Sequence, residues 1–427
     1  MSPHHRLAAF RARDFRRFFI GYATSLLGSS MASIAISFAV LENDGDGTEL
    51  GVVLAARILP LVLVLLVGGV VTDRLGSRQV MITADVVRCL SQAGIAVALF
   101  SGSPGLWTLV ALVALWGAAE ALFTPALNAL VPHIAKGETL ADANALLGVA
   151  RSFASIAGPV LAGILTAVAG ASWVLALDSA SYAVSVVALL LLPRAAVRAA
   201  PSSSFVTDLR EGWAEFRSRT WLWATSLQAG LFNLLVWAPF LVLGPLVAQR
   251  RLGGAGSWGL VMALYGAGAM AGGAAMLGRH PRRPLLVATV AALGWSLPSA
   301  ALAADGSLVW ICVAALVAGA GSAVCGTLYA TVTQQQVPPG ALARVSSYDA
   351  FGAFALGPLG LAAAGPVSVL VGTSAVLGFG ALWQIVTVAV LLALPAVRAV
   401  FPRSPAEVPA GSRADTGPEA AARPAGP

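Results

Sequence analysis

Charge is scarce in this sequence. Asp, Glu, Lys and Arg make up only 11% of 427 residues, where a soluble domain carries about 25%. A surface facing water cannot be built from so few charges, which excludes an ordinary soluble globule. Lysine is almost missing: Lys136 is the only one, and every other basic residue is arginine. No phosphate-binding Gly-x-x-x-x-Gly-Lys-Ser/Thr loop occurs, so ATP hydrolysis of that type is excluded. The four histidines, His4, His5, His133 and His280, fall near expected loops and form no metal site or catalytic dyad. Cys89, Cys312 and Cys325 lie inside apolar runs, where they read as apolar filler and not as a disulfide or metal framework. Gly254-x-Gly256-x-x-Gly259 matches a dinucleotide fingerprint by letter, but no strand or βαβ pattern surrounds it. An enzyme with His, Asp or Ser clustered at one membrane face is not legible here, and no cofactor is expected.

What the chain has is apolar length. Hydrophobic residues make up 58%, with a mean hydropathy of +0.83. A helix needs about 20 apolar residues to cross a hydrocarbon core of about 30 Å. Twelve such segments can be read, near 18–41, 50–72, 79–101, 105–131, 143–169, 172–192, 221–247, 257–278, 284–304, 307–333, 343–366 and 373–397. The first is too long for a signal-peptide core and is expected to remain as a span. The expected fold is therefore an all-α membrane protein of twelve transmembrane helices. Its parts are an N-terminal tail (1–17), a six-helix half (18–192), a linker (193–220), a second six-helix half (221–400) and a disordered tail (401–427).

The basic residues test that map. Of the 26, 20 fall in the tails and the loops on the side of the N-terminus and Arg344 at that side's end of span eleven, two (Arg250 and Arg251) on the other side, and three (Arg57, Arg88 and Arg151) deep inside spans. Positive loops mark the cytoplasmic face, so both termini are expected in the cytoplasm. The net charge of +7 is then a matter of orientation and not of nucleic-acid binding. In the linker, Phe205, Leu209, Trp213 and Phe216 form an apolar stripe at helical spacing. The linker helix is expected to lie flat at the membrane surface. Gly158-Pro159 in span five has a counterpart in Gly357-Pro358 of span eleven, and the loop after span eight echoes the one after span two. These echoes fit two related halves with a site between them.

Between spans two and three stands Gly69-x-x-x-Asp73-Arg74-x-Gly76-x-Arg78. The pattern resembles the loop signature of the major facilitator superfamily, with Ser77 where that family often has a basic residue. The run Gly158-Pro159 with Gly163 resembles the Gly-Pro motif of the superfamily's drug–proton antiporters, with Ala162 in place of a frequent glycine. Residues 120–163, with Glu120, Pro125, Pro132, Asn144, Arg151 and Gly158-Pro159, are similar to the branch that contains enterobactin exporters and macrolide efflux proteins. The same holds for Gly51 to Pro60. This resemblance implies a bacterial cytoplasmic-membrane exporter of a small molecule, driven by protons, alternating its access between two faces and needing no cofactor. Its expected partners are the substrate, protons and the bilayer, and its expected state is a monomer.

Charges inside a bilayer cost about 2.5–3.5 kcal/mol each at a helix centre, so those present need a partner, a wet cavity or a task. Glu120 and Arg151 face similar depths of spans four and five. They are expected either to pair or to line the cavity together, with Glu120 as first candidate for the proton and Arg151 as its partner or an anchor for an anion. Asp178 and Asp349 are further coupling candidates, each placed where an interface could hydrate it. Arg57 is expected to snorkel outward. Asp85 and Arg88 are expected to join Gly69, Asp73, Arg74, Gly76 and Arg78 in a cytoplasmic latch. The resemblance places spans one, four, seven and ten around the cavity, which nominates Ser29, Asn128, Gln228 and Asn233 as lining residues. Trp116, Phe232 and Trp237 would suit a ring-bearing substrate or serve as packing. An importer of the same fold, or a membrane protein that does not transport, are the other readings.

Overall fold

Lipid offers the backbone no hydrogen bonds, so a chain this apolar closes them within its own helices. The structure, a computed structural model, describes residues 12–42, 46–102, 104–135, 138–193, 205–276, 279 and 281–398. Among them no strand occurs, and twelve helices are long and apolar enough to cross a membrane. Spans one to six are Arg13–Glu42, Gly47–Leu75, Ser77–Phe100, Leu106–Ile134, Glu138–Ala169 and Ala171–Leu190. Spans seven to ten are Thr220–Leu252, Ala255–Ala275, Pro284–Ala303 and Leu308–Gln336. Span eleven is Pro339–Phe354 continued by Gly357–Val371, and span twelve is Thr373–Ala393. The tail from residue 401 lies outside the described residues.

Two Gly-Pro pairs that match in sequence differ in structure. Span five runs on through Gly158-Pro159. Span eleven stops at Phe354 and restarts at Gly357, with Pro358 in the first turn of the new helix, where its missing N–H is no loss. In span seven a π turn over Asn233–Trp237 precedes Pro239, whose lack of an N–H disturbs the regular ladder there. The loop after span two is shorter than its sequence suggests. The helix continues to Leu75, so Gly69, Asp73 and Arg74 are helical, and the reversal falls on Gly76 at φ +83°. A side chain there would be strained.

The linker helix Phe205–Arg217 leans on the second half. Trp213 and Phe216 pack on Tyr348 of span eleven, with ring centroids 5.5 and 6.2 Å apart. The side chains of Phe205 and Leu209 lie outside the described residues.

The apolar core is forked. Let the near face be the one where span one begins, and the far face the one where it ends. Toward the far face one cluster joins both halves, from Phe38, Leu50 and Leu175 to Phe240, Trp258 and Leu377. Toward the near face it divides. One branch, with Phe15, Met81 and Leu147, belongs only to spans one to six. The other, with Leu222, Val332 and Val345, belongs to spans seven to twelve and the linker helix.

Small residues close the far side, as lipid-embedded helices need for tight contact. Gly51 lies against the Leu361 carbonyl and Gly365 against Gly47, joining spans two and eleven. Gly163 and Gly259 meet where spans five and eight cross. At mid-depth Gly266 presses on the carbonyl oxygen of Ser155, where an added Cβ would stand 2.4 Å away. That carbonyl is the one Pro159, four residues on, cannot bond, so a close Cα–H contact takes the place of the missing donor.

Replacing Gly266 with Leu should therefore force spans five and eight apart at a cost of about 1–3 kcal/mol. Gly273→Leu is the control, because nothing lies within 4 Å of an added Cβ there. Thermal melting of the full chain in detergent should fall by several degrees for the first variant and hardly move for the second.

Candidate functional site

Spans two and four touch at Gly117. An added Cβ there would stand 2.0 Å from the Arg57 carbonyl oxygen, so only glycine permits the approach. One turn further along span four, Glu120 meets the side chain of Arg57. Arg57 Nε donates to Glu120 Oε2 at 3.1 Å, and Nη2 donates to Oε2 and Oε1 at 2.9 and 3.1 Å. Arg57 Nη1 donates to Ser33 Oγ at 2.7 Å, and its guanidinium lies 4.0 Å over the Trp116 ring. This fork-to-fork geometry is among the strongest that charged groups make.

The pair settles which partner Glu120 takes. It is Arg57 and not Arg151. Arg57 is the eleventh residue of its helix, about 16 Å in at 1.5 Å per residue. That is too deep to snorkel outward, so it turns inward instead.

Around the pair runs a network of hydroxyls and rings. Trp116 Nε1 donates to Tyr182 Oη at 2.9 Å, and Tyr182 Oη shares a 2.7 Å hydrogen bond with Ser29 Oγ. Arg88 lies over both Tyr182 and Phe123, at 4.4 and 4.8 Å. Its Nη1 donates to Asp85 Oδ1 at 3.0 Å, and Ser185 Oγ donates to Asp85 Oδ2 at 2.6 Å. Asp85 is wholly buried. The expected cytoplasmic cluster of Asp85 and Arg88 with Asp73 and Arg74 is thus corrected. Asp85 is the ninth residue of span three, and it faces span six. The side chains of Asp73 and Arg74 lie outside the described residues. Arg78 holds the end of span six, donating to the carbonyls of Leu189 and Leu190, both at 2.9 Å. Both lie in the last turn, where carbonyls lack the regular helical donor, and Leu189 O also accepts from Leu192 N at 3.2 Å.

Asp178 is also corrected. It is fully buried against Gly28 of span one and reaches no hydrated interface. Ser181 Oγ lies 3.3 Å from its Oδ1, and Oδ2 has no hydrogen-bond partner among the described residues. Asp349 accepts a 2.7 Å hydrogen bond from Tyr329 Oη, and Ser226 Oγ donates to its backbone carbonyl.

A cavity of about 350 Å³ opens in the first half, within the range of small-molecule sites. Tyr22, Ser25, Leu26, Ser29, Arg88, Glu120, Phe123, Leu127 and Arg151 line it. Glu120 and Ser29 lie near mid-span; Tyr22, Leu127 and Arg151 lie nearer the near face, where the core is split. Glu120 and Arg151 therefore share the cavity without pairing. Arg151 Nε instead donates to Tyr22 Oη at 2.9 Å.

The second half supplies none of these residues. Gln228 bonds Gln384, and Asn233 donates to the carbonyls of Ala229 and Ala353. Asn128's side chain lies outside the described residues. Phe232 and Trp237 pack on Trp295, at 5.5 and 4.8 Å between centroids, and Trp116 is buried beneath Arg57, so none of the three is among the residues that line the cavity. Gly158 lies against Ser30 of span one.

Sequence reasoning missed Tyr22 and Tyr182. Tyr182 had a signal: it stands one turn from Asp178 in an otherwise apolar helix. Tyr22 had none beyond being a phenol in the first span.

Comparison with known proteins agrees with this architecture. The profile of the Major Facilitator Superfamily matches residues 18–361. The multidrug efflux pump Tap of Mycobacterium tuberculosis is 27% identical over 416 residues, covering 92% of this chain and 97% of that one. The enterobactin exporter EntS of Salmonella typhimurium is 28% identical over 379 residues, 86% of this chain and 89% of its own. Macrolide efflux protein A of Streptococcus pyogenes is 24% identical over 340 residues, 78% and 84% of the two chains. Among solved structures, a peptide transporter POT in complex with sulfate superposes with a TM-score of 0.73 at 12% identity, covering 92% and 96% of the two chains. The nucleoside transporter NupG gives 0.68 at 14% identity, covering 89% and 98%. At such identities the two structures share the fold alone.

The Arg57–Glu120 pair makes a direct prediction. Arg57→Gln should cost about 1.5–3 kcal/mol of stability, the range for charged hydrogen bonds. Adding Glu120→Gln should recover part of it. Unfolding of the two single variants and the double variant in one lipid system measures the coupling, and additive losses would deny it.

Proposed function

We propose that this chain, which belongs to the Major Facilitator Superfamily and so carries a small molecule across a bilayer as a multi-pass membrane protein, is an exporter that exchanges its substrate for protons. The observation that carries this reading is a carboxylate held by an arginine on the wall of a membrane-embedded cavity: Glu120, bound by Arg57. An intramembrane ion pair beside a wet cavity is a place where a proton changes the bonding. A proton on Glu120 discharges the pair and leaves Arg57 to Ser33 and the Trp116 ring. The contacts that tie spans one, two and four together then weaken at one point. The forked core and the glycine contacts on the far side support a molecule whose halves part at the near face and rock about their crossing.

The direction of transport rests on the efflux relatives, which extend over most of this chain. The substrate is small and amphipathic, in keeping with a cavity whose wall alternates Leu26, Phe123 and Leu127 with Ser25, Ser29 and charge. In this reading the near face and both termini lie in the cytoplasm of a bacterial cell, which the excess of arginine in the near-side loops supports. The chain works as a monomer, with no cofactor, no nucleic-acid partner and no enzymatic step.

Proteoliposomes holding the full chain test the coupling. A panel of antibiotics and siderophores identifies a substrate that moves against an imposed pH gradient and releases protons inward. Glu120→Gln should then cut substrate-coupled proton flux at least tenfold, about 1.4 kcal/mol, while the protein stays folded. Undiminished flux in the folded variant removes Glu120 from the role.

A further inference from the structure

The three arginines deep within the spans of the first half, Arg57, Arg88 and Arg151, are not equivalent. Arg57 is bound by Glu120, and Arg88 is bound by Asp85. Arg151 is exposed, lines the cavity, and has no carboxylate within salt-bridge reach among the described residues. Of the charged residues on the cavity wall, Glu120 and Arg88 are each neutralised by a neighbour. The wall is left with one positive charge, and it is Arg151.

Its guanidinium is also aimed. Nε–H is spent on Tyr22 Oη at 2.9 Å. Tyr22 is itself held between aromatic rings, stacked on Phe18 at 5.8 Å and on Phe123 at 6.4 Å. The two terminal Nη groups keep four N–H donors with no protein acceptor among the described residues. A guanidinium oriented from behind, with its fork free, is the geometry that takes a carboxylate or phosphate in two parallel hydrogen bonds. Beside it Leu26, Phe123 and Leu127 offer apolar surface to the rest of a ligand.

We propose that the cavity selects amphipathic organic anions and that Arg151 binds their charged group, with Tyr22 as a positioning residue. The ligand supplies the counter-charge that the protein omits. This rests on the reading of the cavity as the transport site and adds the substrate class to it. Cationic compounds meet an uncompensated arginine there and are disfavoured.

Fluorescein, an aromatic carboxylate, and rhodamine 6G, a cationic ester on a similar ring system, serve as probes. Equilibrium binding of each is read by fluorescence anisotropy on the full chain in lipid nanodiscs without a gradient. The wild type should bind fluorescein saturably and more tightly than rhodamine 6G. Arg151→Gln should weaken fluorescein about tenfold or more, a factor set by roughly 1.4 kcal/mol, and leave rhodamine 6G unchanged or tighter. Arg151→Lys should recover only part of the loss seen in Arg151→Gln, since it keeps the charge but gives up the fork and the contact to Tyr22. Tyr22→Phe should weaken fluorescein by a smaller factor, because the fork is no longer aimed. No saturable fluorescein binding, equal binding by Arg151→Gln, or a wild-type preference for rhodamine 6G would each overturn the proposal. The export reading is separable from it. Arg151-dependent binding without gradient-driven transport keeps the anion site and removes proton-driven export. Gradient-driven export of rhodamine 6G that ignores Arg151→Gln does the reverse.

Discussion

A charge inside hydrocarbon needs a partner in the protein or a cavity that admits water or ligand, because lipid supplies neither. In this molecule that constraint is met at Arg57 and Glu120, and much of the first half is arranged around them. Gly117 lets spans two and four come close enough for the fork to form. Trp116 carries the guanidinium on its face and passes its own N–H to Tyr182, which reaches Ser29 in span one. Arg88, Asp85 and Ser185 repeat the arrangement one layer toward the near face, between spans three and six. The result is a polar slab that crosses five of the first six helices.

The second half is built differently. Its spans carry one described carboxylate at depth, Asp349, capped by Tyr329. Rings fill the space that charge fills on the other side: Trp295 touches Phe232, Trp237, Phe240 and Tyr265. Glycines press spans eight and ten together, with Gly268 on the Leu316 carbonyl and Gly319 on that of Tyr265. This packing fills the second half where the first half holds a cavity. The glycine contacts between the halves fall from mid-depth to the far face, and the nearest of them are backbone against backbone, beside the side-chain cluster that both halves share. Few long side chains need to change rotamer when such contacts slide.

Much of the fold was legible because its cause is composition. An apolar run of membrane length has few alternatives to a helix, and the arginines sort the ends. Boundaries were harder. The loop at Gly69–Arg78 reads as ten residues by its polar letters, yet the helix carries its first seven. The site was legible as a set of residue types and not as a set of pairs. Arg57, Asp85, Arg88, Glu120, Arg151 and Asp178 all stand out as charges in apolar runs. Which carboxylate meets which arginine depends on how helices rotate and where glycines let them close, and sequence spacing does not encode that. Glu120 had two arginines in reach by depth, and the contact at Gly117 chose Arg57. Likewise Gly158-Pro159 and Gly357-Pro358 are alike in letters. Only one is braced across the bundle, by Gly266 near the freed carbonyl, and only the other interrupts its helix.

The account stands on a cavity of the first half that opens to the near face while the far side is shut. A single cysteine at Leu26, half-buried on that wall, in a chain otherwise free of cysteine, reports it. In vesicles of known orientation, with no gradient and no substrate, a membrane-impermeant maleimide should label that cysteine much faster from the near face than from the far one. Equal rates from the two faces, or faster labelling from the far face, would contradict the account.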